Sequence, residues 1–330
     1  MVDVSGRDVE VSHPDKVYFP QRGETKLDLI EYYRAIEGPL LRAVGGRPTL
    51  MQRFPNGVGG NSFFQKRVPD NVPEWLNTTV VSTPNGTTSR ALVLDDLAHV
   101  VWAVNLGCLG FHTWPYLAAD PSHTDEMRVD LDPQEGIGFD AVREAALEVK
   151  AVLDEIGMDA YPKTTGSRGL HVYARLLPRW DSYEVRAAVV ALAREMERRR
   201  PDLLTAAWWK EERGRRVFVD FNQNAPHKTV FAPWSVRSRV GGQASTPLSW
   251  DDVAAVKPDD LTLMSVPNRV ASQGDPWARM HDAPQSIEIL LQWSARDRAG
   301  GLPDASWPPV YPKMPNEPPR VAPSRAKKAT

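Results

Sequence analysis

The amino-acid sequence predicts an α+β fold, in which helices flank a mixed or antiparallel central sheet and a smaller N-terminal part is attached. Its 330 residues are 42% hydrophobic and 25% charged, proportions typical of a folded globular protein. From residue 127 onward, segments that alternate apolar and polar residues are interleaved with segments of helical periodicity and a predicted hairpin. Strands interleaved with helices and a hairpin indicate the α+β class.

The elements can be placed in chain order from these two periodicities. They predict a helix over 26–43 that is interrupted near Gly38 and Pro39, a strand over 127–132, a helix over 139–156, a strand over 170–176, a helix over 182–200 and a hairpin over 208–222. Pro133 and Pro201 follow the first strand and the third helix, where proline ends regular structure. Gly214 stands at the predicted hairpin turn.

The chain divides into one large unit and a tail. We expect residues 1–300 to form the unit, with about 1–120 as its N-terminal part and about 121–300 as its core. Residues 301–330 contain eight of the 29 prolines and end in a basic run. Such a composition predicts an extended, flexible tail.

Composition limits the kinds of partner and compartment. Lys plus Arg number 40 and Asp plus Glu 42, so the formal net charge of −2 indicates no polyanion partner, and any nucleic-acid site must be a local patch. The single cysteine, Cys108, excludes an intrachain disulfide and a multi-cysteine zinc site. No stretch approaches the ~18 apolar residues of a membrane span, and the N-terminus is too polar for a signal peptide. We therefore expect a cytoplasmic protein without a membrane anchor.

Three acidic residues are candidates for metal ligands. Asp130 and Asp132 lie on one face of their strand, about 7 Å apart, and Asp220 interrupts an apolar strand. Carboxylates placed together favour a hard divalent cation as the compensating charge. Spacing alone leaves an alternative open: the first two are solvated strand-end residues, and Asp220 pairs with Arg215 or Arg216.

A glycine- and hydroxyl-rich segment between these acids is typical of a loop that binds phosphate. Residues 163–173 place two glycines and three hydroxyls around Arg168, and His171 follows on a strand face. Lys228 and Arg237 supply further positive charge after Asp220. Carboxylates with basic residues near a phosphate loop indicate metal-assisted phosphoryl chemistry. A hydrogen-bonded core histidine is the alternative for His171.

The order of these motifs resembles the archaeo-eukaryotic primase superfamily and, more closely, the polymerase domain of bacterial ligase D. The similar segments cover most of residues 10–260: they are His13–Pro20, Gly46–Pro48, Arg53–Gly57, Phe63–Lys66, Arg128–Pro133, Thr165–Tyr173, Val219–Asn224, Lys228–Arg237 and Pro247–Asp252. The resemblance implies a template-directed nucleotidyltransferase, a DNA-dependent DNA and RNA polymerase that fills gaps, can also prime, and prefers ribonucleotides. It implies a role in bacterial DNA repair, and leaves open whether the gaps are filled in non-homologous end joining or in excision repair.

The same resemblance assigns functional residues. It implies that Asp130, Asp132 and Asp220 are catalytic and hold two divalent ions, manganese or magnesium. The residues that it assigns to the nucleoside triphosphate, ribo- or deoxyribonucleotide, are Arg53, His112, Ser167, Arg168, His171, Gln223, Lys228 and Arg237. Those that it assigns to DNA are Lys16, Lys26, Phe63, Phe64 and Lys66. Of these, Lys16 and Lys26 are assigned to the 5′-phosphate of a gap or break. Without it, the lysines are solvated, the phenylalanines are core residues and His112 is ordinary packing.

Some residues depart from the family's pattern, which affects the expected partners. Arg168 stands where lysine is frequent, Trp234 where tyrosine is frequent and His13 where asparagine is frequent. The sequence has no Lys-x-Asp-Gly motif of a ligase. We therefore expect a polymerase near the nucleoid that is free-standing or a fragment, with a separate ATP-dependent DNA ligase and a Ku-like protein as partners. The resemblance implies a monomer. A metal-dependent nuclease or phosphatase, and a non-catalytic DNA-end-binding module, are the alternatives.

Overall fold

The computed structural model describes residues 2–4, 6–84, 86–239 and 241–308. The strands in these ranges are β1 (Val2–Val4), β2 (Arg7–Val9), β3 (Pro48–Arg53), β4 (Phe63–Gln65), β5 (Thr78–Ser82), β6 (Thr88–Val93), β7 (Cys108–Thr113), β8 (Glu126–Pro133), β9 (Tyr161–Thr164), β10 (Leu170–Arg175), β11 (Leu204–Thr205), β12 (Val217–Asp220) and β13 (Val230–Phe231). The helices are α1 (Lys26–Ala35), α2 (Glu37–Val44), α3 (Leu97–Asn105), α4 (Phe139–Glu155), α5 (Ser182–Arg199), α6 (Trp250–Val253), α7 (Val266–Gln273) and α8 (Glu288–Ala299), with 3₁₀ turns at Lys210–Glu212, Phe221–Asn224 and Pro258–Asp260.

A five-stranded mixed sheet forms the centre of the fold. Its order is β11-β12-β8-β10-β9, in which β11 and β12 are parallel and the other neighbours antiparallel. The apolar side chains of β8, Val129 and Leu131, are fully buried. Helices α4 and α5 pack on this sheet. The mixed α+β architecture expected from the sequence is confirmed.

A second sheet faces the polar side of the first. Its order is β13-β7-β3-β6-β5, with β4 paired to β3. Arg128 of β8 donates to the backbone oxygens of Thr113 (2.9 Å) and Trp114 (3.1 Å) at the end of β7, so the two sheets are in direct contact. One continuous hydrophobic core includes residues of both. Because β13 joins a sheet otherwise built from the N-terminal part, residue 120 does not separate the sheets.

Two predicted elements differ from the structure. The interruption of the first helix falls at Ile36, and α2 begins before Gly38 and Pro39. Proline is tolerated there because the N–H groups of a first helical turn have no intrahelical partner. The hairpin predicted over 208–222 is wrong: β12 pairs instead with β8 and β11. Periodicity identified the strand but could not identify its partner.

The start of the predicted tail packs on the core. Residues 302–308 have no regular secondary structure, yet Trp307 is only 4% exposed and packs against Ala225. Ala305 and Trp307 thus contact buried residues, and the flexibility of the tail stays a prediction. Residues 309–330 lie outside the described residues. Within the described ranges, no helix is long and apolar enough to cross a membrane.

Candidate active site

Four polar side chains form a row across the polar face of the five-stranded sheet. Strand pairing places Asp220 opposite Asp130, Asp130 opposite His171, and His171 opposite Lys163. Asp132 lies two residues further along β8, on the same face as Asp130. The register therefore places Asp220 directly opposite Asp130, with Asp132 two residues away along the same face.

Asp130 and Asp220 share a setting that disfavours two charges. Burial is the main cause that raises the pKa of each to about 6, and at Asp220 the charge of Asp130 contributes to that rise. Burial and the charge of Asp130 also raise the pKa of Asp132. The arginine pairing considered for Asp220 is not seen, since Arg215 donates to Gly136 O and Arg216 pairs with Glu197. Repulsion among these carboxylates is of the kind that a bound cation relieves.

The carboxylate oxygens of these acids suit a hard divalent ion, but the side chains are not arranged as a complete metal site in the described part of the chain. Carboxylate oxygens are the ligands that magnesium and manganese accept. Within the ranges that the structure describes, no group of three or more His, Cys, Asp or Glu side chains is gathered to hold a metal. Asp130 and Asp220 are thus a facing pair, and Asp132 would have to join them.

Two hydrogen bonds orient the Asp220 carboxylate. The backbone N–H of Asn222 donates to Oδ1 (2.9 Å), and Gln223 Nε2 donates to Oδ2 (2.9 Å). The positive charge of Lys228 opposes the rise in the pKa of Asp220. Gln223 and Lys228, both predicted to bind nucleotide, therefore lie at this acid.

His171 contacts Asp130 as well as lying beside the predicted phosphate loop. Its Nε2 is 3.2 Å from Asp130 Oδ1, and its ring stacks on Tyr173 at 6.1 Å. Burial, together with the charges of Lys163, Arg237 and Arg128, lowers the pKa of His171 well below its usual value. The ring is therefore neutral, and its buried Nδ1 has no hydrogen-bond partner among the described residues. That nitrogen remains for a ligand, as a donor or an acceptor according to the tautomer.

The loop between β9 and β10 depends on two glycines. Gly166 has φ +67, and a Cβ there would lie 2.8 Å from Arg237 Cγ. A Cβ on Gly169 would lie 2.6 Å from Leu131 O, so only glycine lets the loop approach β8. Ser167 is half-buried on this loop, and Arg168 is exposed with its charge near Asp132. The loop thus lies at the acid-bearing end of β8.

Arg237 and His112 line the space between the two sheets. Arg237 Nε donates to Thr165 O of the loop (2.8 Å), and its guanidinium lies 3.6 Å from the centre of the Phe231 ring. His112 contacts Phe231 and Phe64 edge-on. Burial, with the charges of Arg237 and Lys163, lowers the pKa of His112 to about 3. Its buried Nε2 has no hydrogen-bond partner among the residues described.

A second group of predicted residues gathers on β4 and the end of β3. Phe63 and Phe64 are 46% and 59% exposed, so they are not core residues. Arg53 bonds Leu106 O (2.7 Å) and Gln65 Oε1 (2.6 Å) and lies over Phe63. Its contacts therefore place Arg53 with the predicted DNA residues. Lys66 lies 5.8 Å from the Trp114 ring, and burial lowers its pKa.

Lys16 and Lys26 lie near each other at the start of α1. Lys26 is only 3% exposed, and its ammonium donates to Ser12 O, Asn105 O (3.3 Å) and Asn105 Oδ1 (3.1 Å). Burial and the charge of Lys16 lower its pKa. Lys16 donates to Pro55 O and Asn56 Oδ1. Lys26 is thus not a solvated surface lysine.

Lys163 was not among the site residues predicted from the sequence, although it lies in the row of polar side chains. Its fully buried ammonium donates to Ser245 Oγ (2.6 Å), which in turn donates to Thr164 O (2.9 Å). Burial and the charge of Arg237 lower its pKa well below the usual value. The available signal was a lysine directly before the glycine- and hydroxyl-rich segment. Only the strand pairing shows that Lys163 lies opposite His171.

Comparisons with known proteins agree with the geometry. The model of a family described as LigD, primase-polymerase domain, matches residues 25–277. The multifunctional non-homologous end joining protein LigD of Mycolicibacterium smegmatis is 32% identical over 292 residues, which are 88% of this chain and 38% of that protein. The bifunctional non-homologous end joining protein LigD of Bacillus subtilis is 31% identical over 273 residues, 82% of this chain and 44% of that protein.

A solved structure has the same fold. The polymerase domain from Mycobacterium tuberculosis ligase D, in complex with DNA, aligns with a TM-score of 0.79 and 30% identity, and the alignment covers 84% of this chain and 99% of that one. Fold and site together define a primase-polymerase, a class of nucleotidyltransferase. The chain belongs to the LigD primase-polymerase domain family, as its motifs predicted. It spans about two fifths of the length of the curated relatives compared above.

Proposed function

We propose that this chain extends a primer 3′-hydroxyl against a DNA template at short gaps or joined ends, with ribonucleotides as preferred substrates. The observation that carries the proposal is the facing pair Asp130 and Asp220, whose pKa values are raised, beside a glycine loop bordered by cations. Nucleotidyl transfer needs this combination, because a triphosphate and the carboxylates repel each other unless cations lie between them.

Asp130, Asp132 and Asp220 would hold two divalent ions. Bound ions of this kind lower the pKa of the primer hydroxyl and neutralise charge on the triphosphate and the pyrophosphate. The protein orients the acceptor oxygens: Asn222 N–H and Gln223 Nε2 each fix one oxygen of Asp220. His171 Nε2 lies 3.2 Å from Oδ1 of Asp130 and would help to position it.

The basic residues around the loop would bind the triphosphate. Arg168 is exposed near Asp132, Arg237 is tied to the loop backbone, and Lys228 lies near Asp220. Ser167 and the loop amides would add hydrogen bonds to phosphate oxygens. These groups hold the triphosphate next to the acids, and that positioning accounts for much of the catalysis expected in phosphoryl transfer.

His112 would contact the sugar. Its low pKa keeps the ring neutral, so one nitrogen donates and the other accepts. The unpartnered Nε2 can therefore bond a ribose 2′-hydroxyl, which both donates and accepts. A deoxyribose leaves this buried nitrogen unsatisfied, which costs about 1–3 kcal/mol.

Phe63 and Phe64 would support template bases, and Lys16 with Lys26 would bind the 5′-phosphate. Both rings are exposed, which favours stacking on bases. The two neighbouring ammonium groups lie near the N-terminus of α1, where anions are stabilised. The relatives are non-homologous end joining proteins, so we place the chain in that repair process, with a separate ATP-dependent ligase and a Ku-like protein as partners.

The test is extension of a primer on gapped DNA, with and without a 5′-phosphate, with ribo- or deoxyribonucleotides, and with Mn²⁺ or Mg²⁺. We expect a longer primer, faster with ribonucleotides and with the phosphate. Asp220→Asn should abolish extension but retain binding to 5′-phosphorylated DNA, and His112→Ala should reduce the ribonucleotide preference. Shortening of the primer would indicate a nuclease, and unchanged extension by Asp220→Asn would contradict the assignment of the acids.

A further inference from the structure

A segment beyond the last helix is connected to the third acid of the site. Residues 304–307, here called the strap, cross the N-terminal end of α5 and the turn at Phe221–Asn224. Trp307 Nε1 donates to Asp304 Oδ2 (2.7 Å), which closes the strap on itself. Trp307 also packs on Ala225, directly after the turn.

Arg186 of α5 links the strap to the turn. Its guanidinium lies 3.7 Å from the centre of the Trp307 ring and donates to the backbone oxygens of Ala305 (2.8 Å) and Ser306 (3.2 Å). Its Nε donates to Asn222 Oδ1 (2.7 Å). Because Arg186 is almost fully buried, these bonds compensate for the loss of hydration, and their geometry is tightly constrained.

Asn222 completes the connection to the acid. Its Nδ2 donates to Ser306 O (3.0 Å), so strap and arginine hold opposite ends of one amide. The backbone N–H of the same residue donates to Asp220 Oδ1. A single turn of 3₁₀ helix is marginal without outside contacts. Asn224 ties the turn to the backbone of Arg128 in β8, whereas Arg186 and the strap supply the bonds to the Asn222 side chain, so the position of that N–H depends in part on the strap.

We propose that the strap, through Arg186 and Asn222, is a positioning element that holds the Asp220 carboxylate in the orientation that binds a divalent ion. The proposal rests on the proposed function of Asp220 as a ligand. Groups that bond to a metal-binding carboxylate hold its oxygens in place, and their loss typically weakens binding roughly 10- to 100-fold.

The test compares Mn²⁺ binding by metal-free full-length variants, measured by calorimetry, with their thermal unfolding. Trp307→Ala and Asn222→Ala should weaken Mn²⁺ binding by roughly 10-fold. Trp307→Phe should restore it, because a ring still covers Arg186. Trp293→Ala is the matched control, a half-buried tryptophan of α8 that packs on the main hydrophobic core, whereas Trp307 packs with Ala225 in a separate cluster. This control should lower the unfolding temperature without changing Mn²⁺ affinity.

If Trp307→Ala does not fold, Trp307→Leu keeps an apolar contact with Ala225 but removes the ring and the bond to Asp304. Asp220→Asn separates the two proposals. If Asp220→Asn abolishes Mn²⁺ binding while the Trp307 and Asn222 variants bind within about two-fold of the unmodified chain, the proposal for the strap alone is overturned. Absence of Mn²⁺ binding by the unmodified chain overturns the metal role of Asp220 and the strap together.

Discussion

Two single residues, Asp130 and Asp220, destabilise the folded protein when their carboxyl groups are charged. Asp130 and Asp220 lie opposite each other on neighbouring strands, and the pKa of each is raised from 3.8 to about 6. Between pH 3.8 and about 6 the folded state therefore binds more protons than the unfolded state. The free energy of unfolding falls as pH rises through this window, and above it the full cost of burying these carboxylates in charged form remains.

Replacing one of these charges should stabilise the metal-free protein. We expect Asp130→Asn to raise the free energy of unfolding at pH 8 by about 1–2 kcal/mol and to leave it nearly unchanged at pH 4, where the folded carboxyl is protonated. Urea unfolding with a chelator at both pH values measures this. Asp70→Asn, at an exposed pair with Arg67, is the control and should show no such difference. Equal effects at both pH values would contradict the shifted pKa.

Residue types were predictable at this scale, but their contacts were not. The acids stood out because charges interrupt apolar strands, and the shared face of Asp130 and Asp132 follows from period-two geometry. The contact between His171 and Asp130 depends on which strands are neighbours, and no local pattern reports that. Lys163 was missed for the same reason, since its significance lies in its place in the row.

At the scale of elements, regular periodicity predicted strands and helices well and predicted their pairing poorly. Strand β12 was expected in a hairpin, because Gly214 is a good turn residue between two apolar segments. It is instead a central strand next to β8, a contact between residues about ninety positions apart. That pairing creates the acid row, so the active-site geometry rests on the part of the fold that local sequence specifies least.

The short strand β4 presents its aromatic side chains to solvent, which defines an expected loss of function. Phe64→Ala should weaken binding of a primed template by roughly 5- to 150-fold, since stacking on a base contributes about 1–3 kcal/mol. Fluorescence anisotropy with gapped DNA measures it. Val80→Ala on β5 removes another exposed apolar side chain and should not affect binding. A similar loss for both variants would indicate a general surface effect in place of stacking.

At the scale of the whole molecule, the site lies between two sheets, and buried ion pairs between side chains join them. The net charge of −2 hides this arrangement, because acids and bases are sorted into local clusters. Arg47, just before β3, bonds Asp125 (2.6 and 3.1 Å) and pairs with Glu126 (2.8 Å). Arg128 bonds Glu126 from the same side, and Arg175 pairs with Asp125. The expected division near residue 120 is therefore bridged by charge as well as by the core.

This bridge leads to a prediction about the stability of the entire unit. Arg47→Met preserves much of the side-chain volume but removes the three charge-assisted contacts to buried Asp125 and Glu126, and breaking a buried pair in this way costs about 3–5 kcal/mol. We expect urea unfolding to show that loss in one cooperative transition, since one core spans both sheets. Arg34→Met, at an exposed pair with Glu31, should change stability by less than about 1 kcal/mol. Two separate transitions in Arg47→Met would show that the N-terminal part and the core fold independently, contrary to the single unit inferred from the shared β13 and the continuous core.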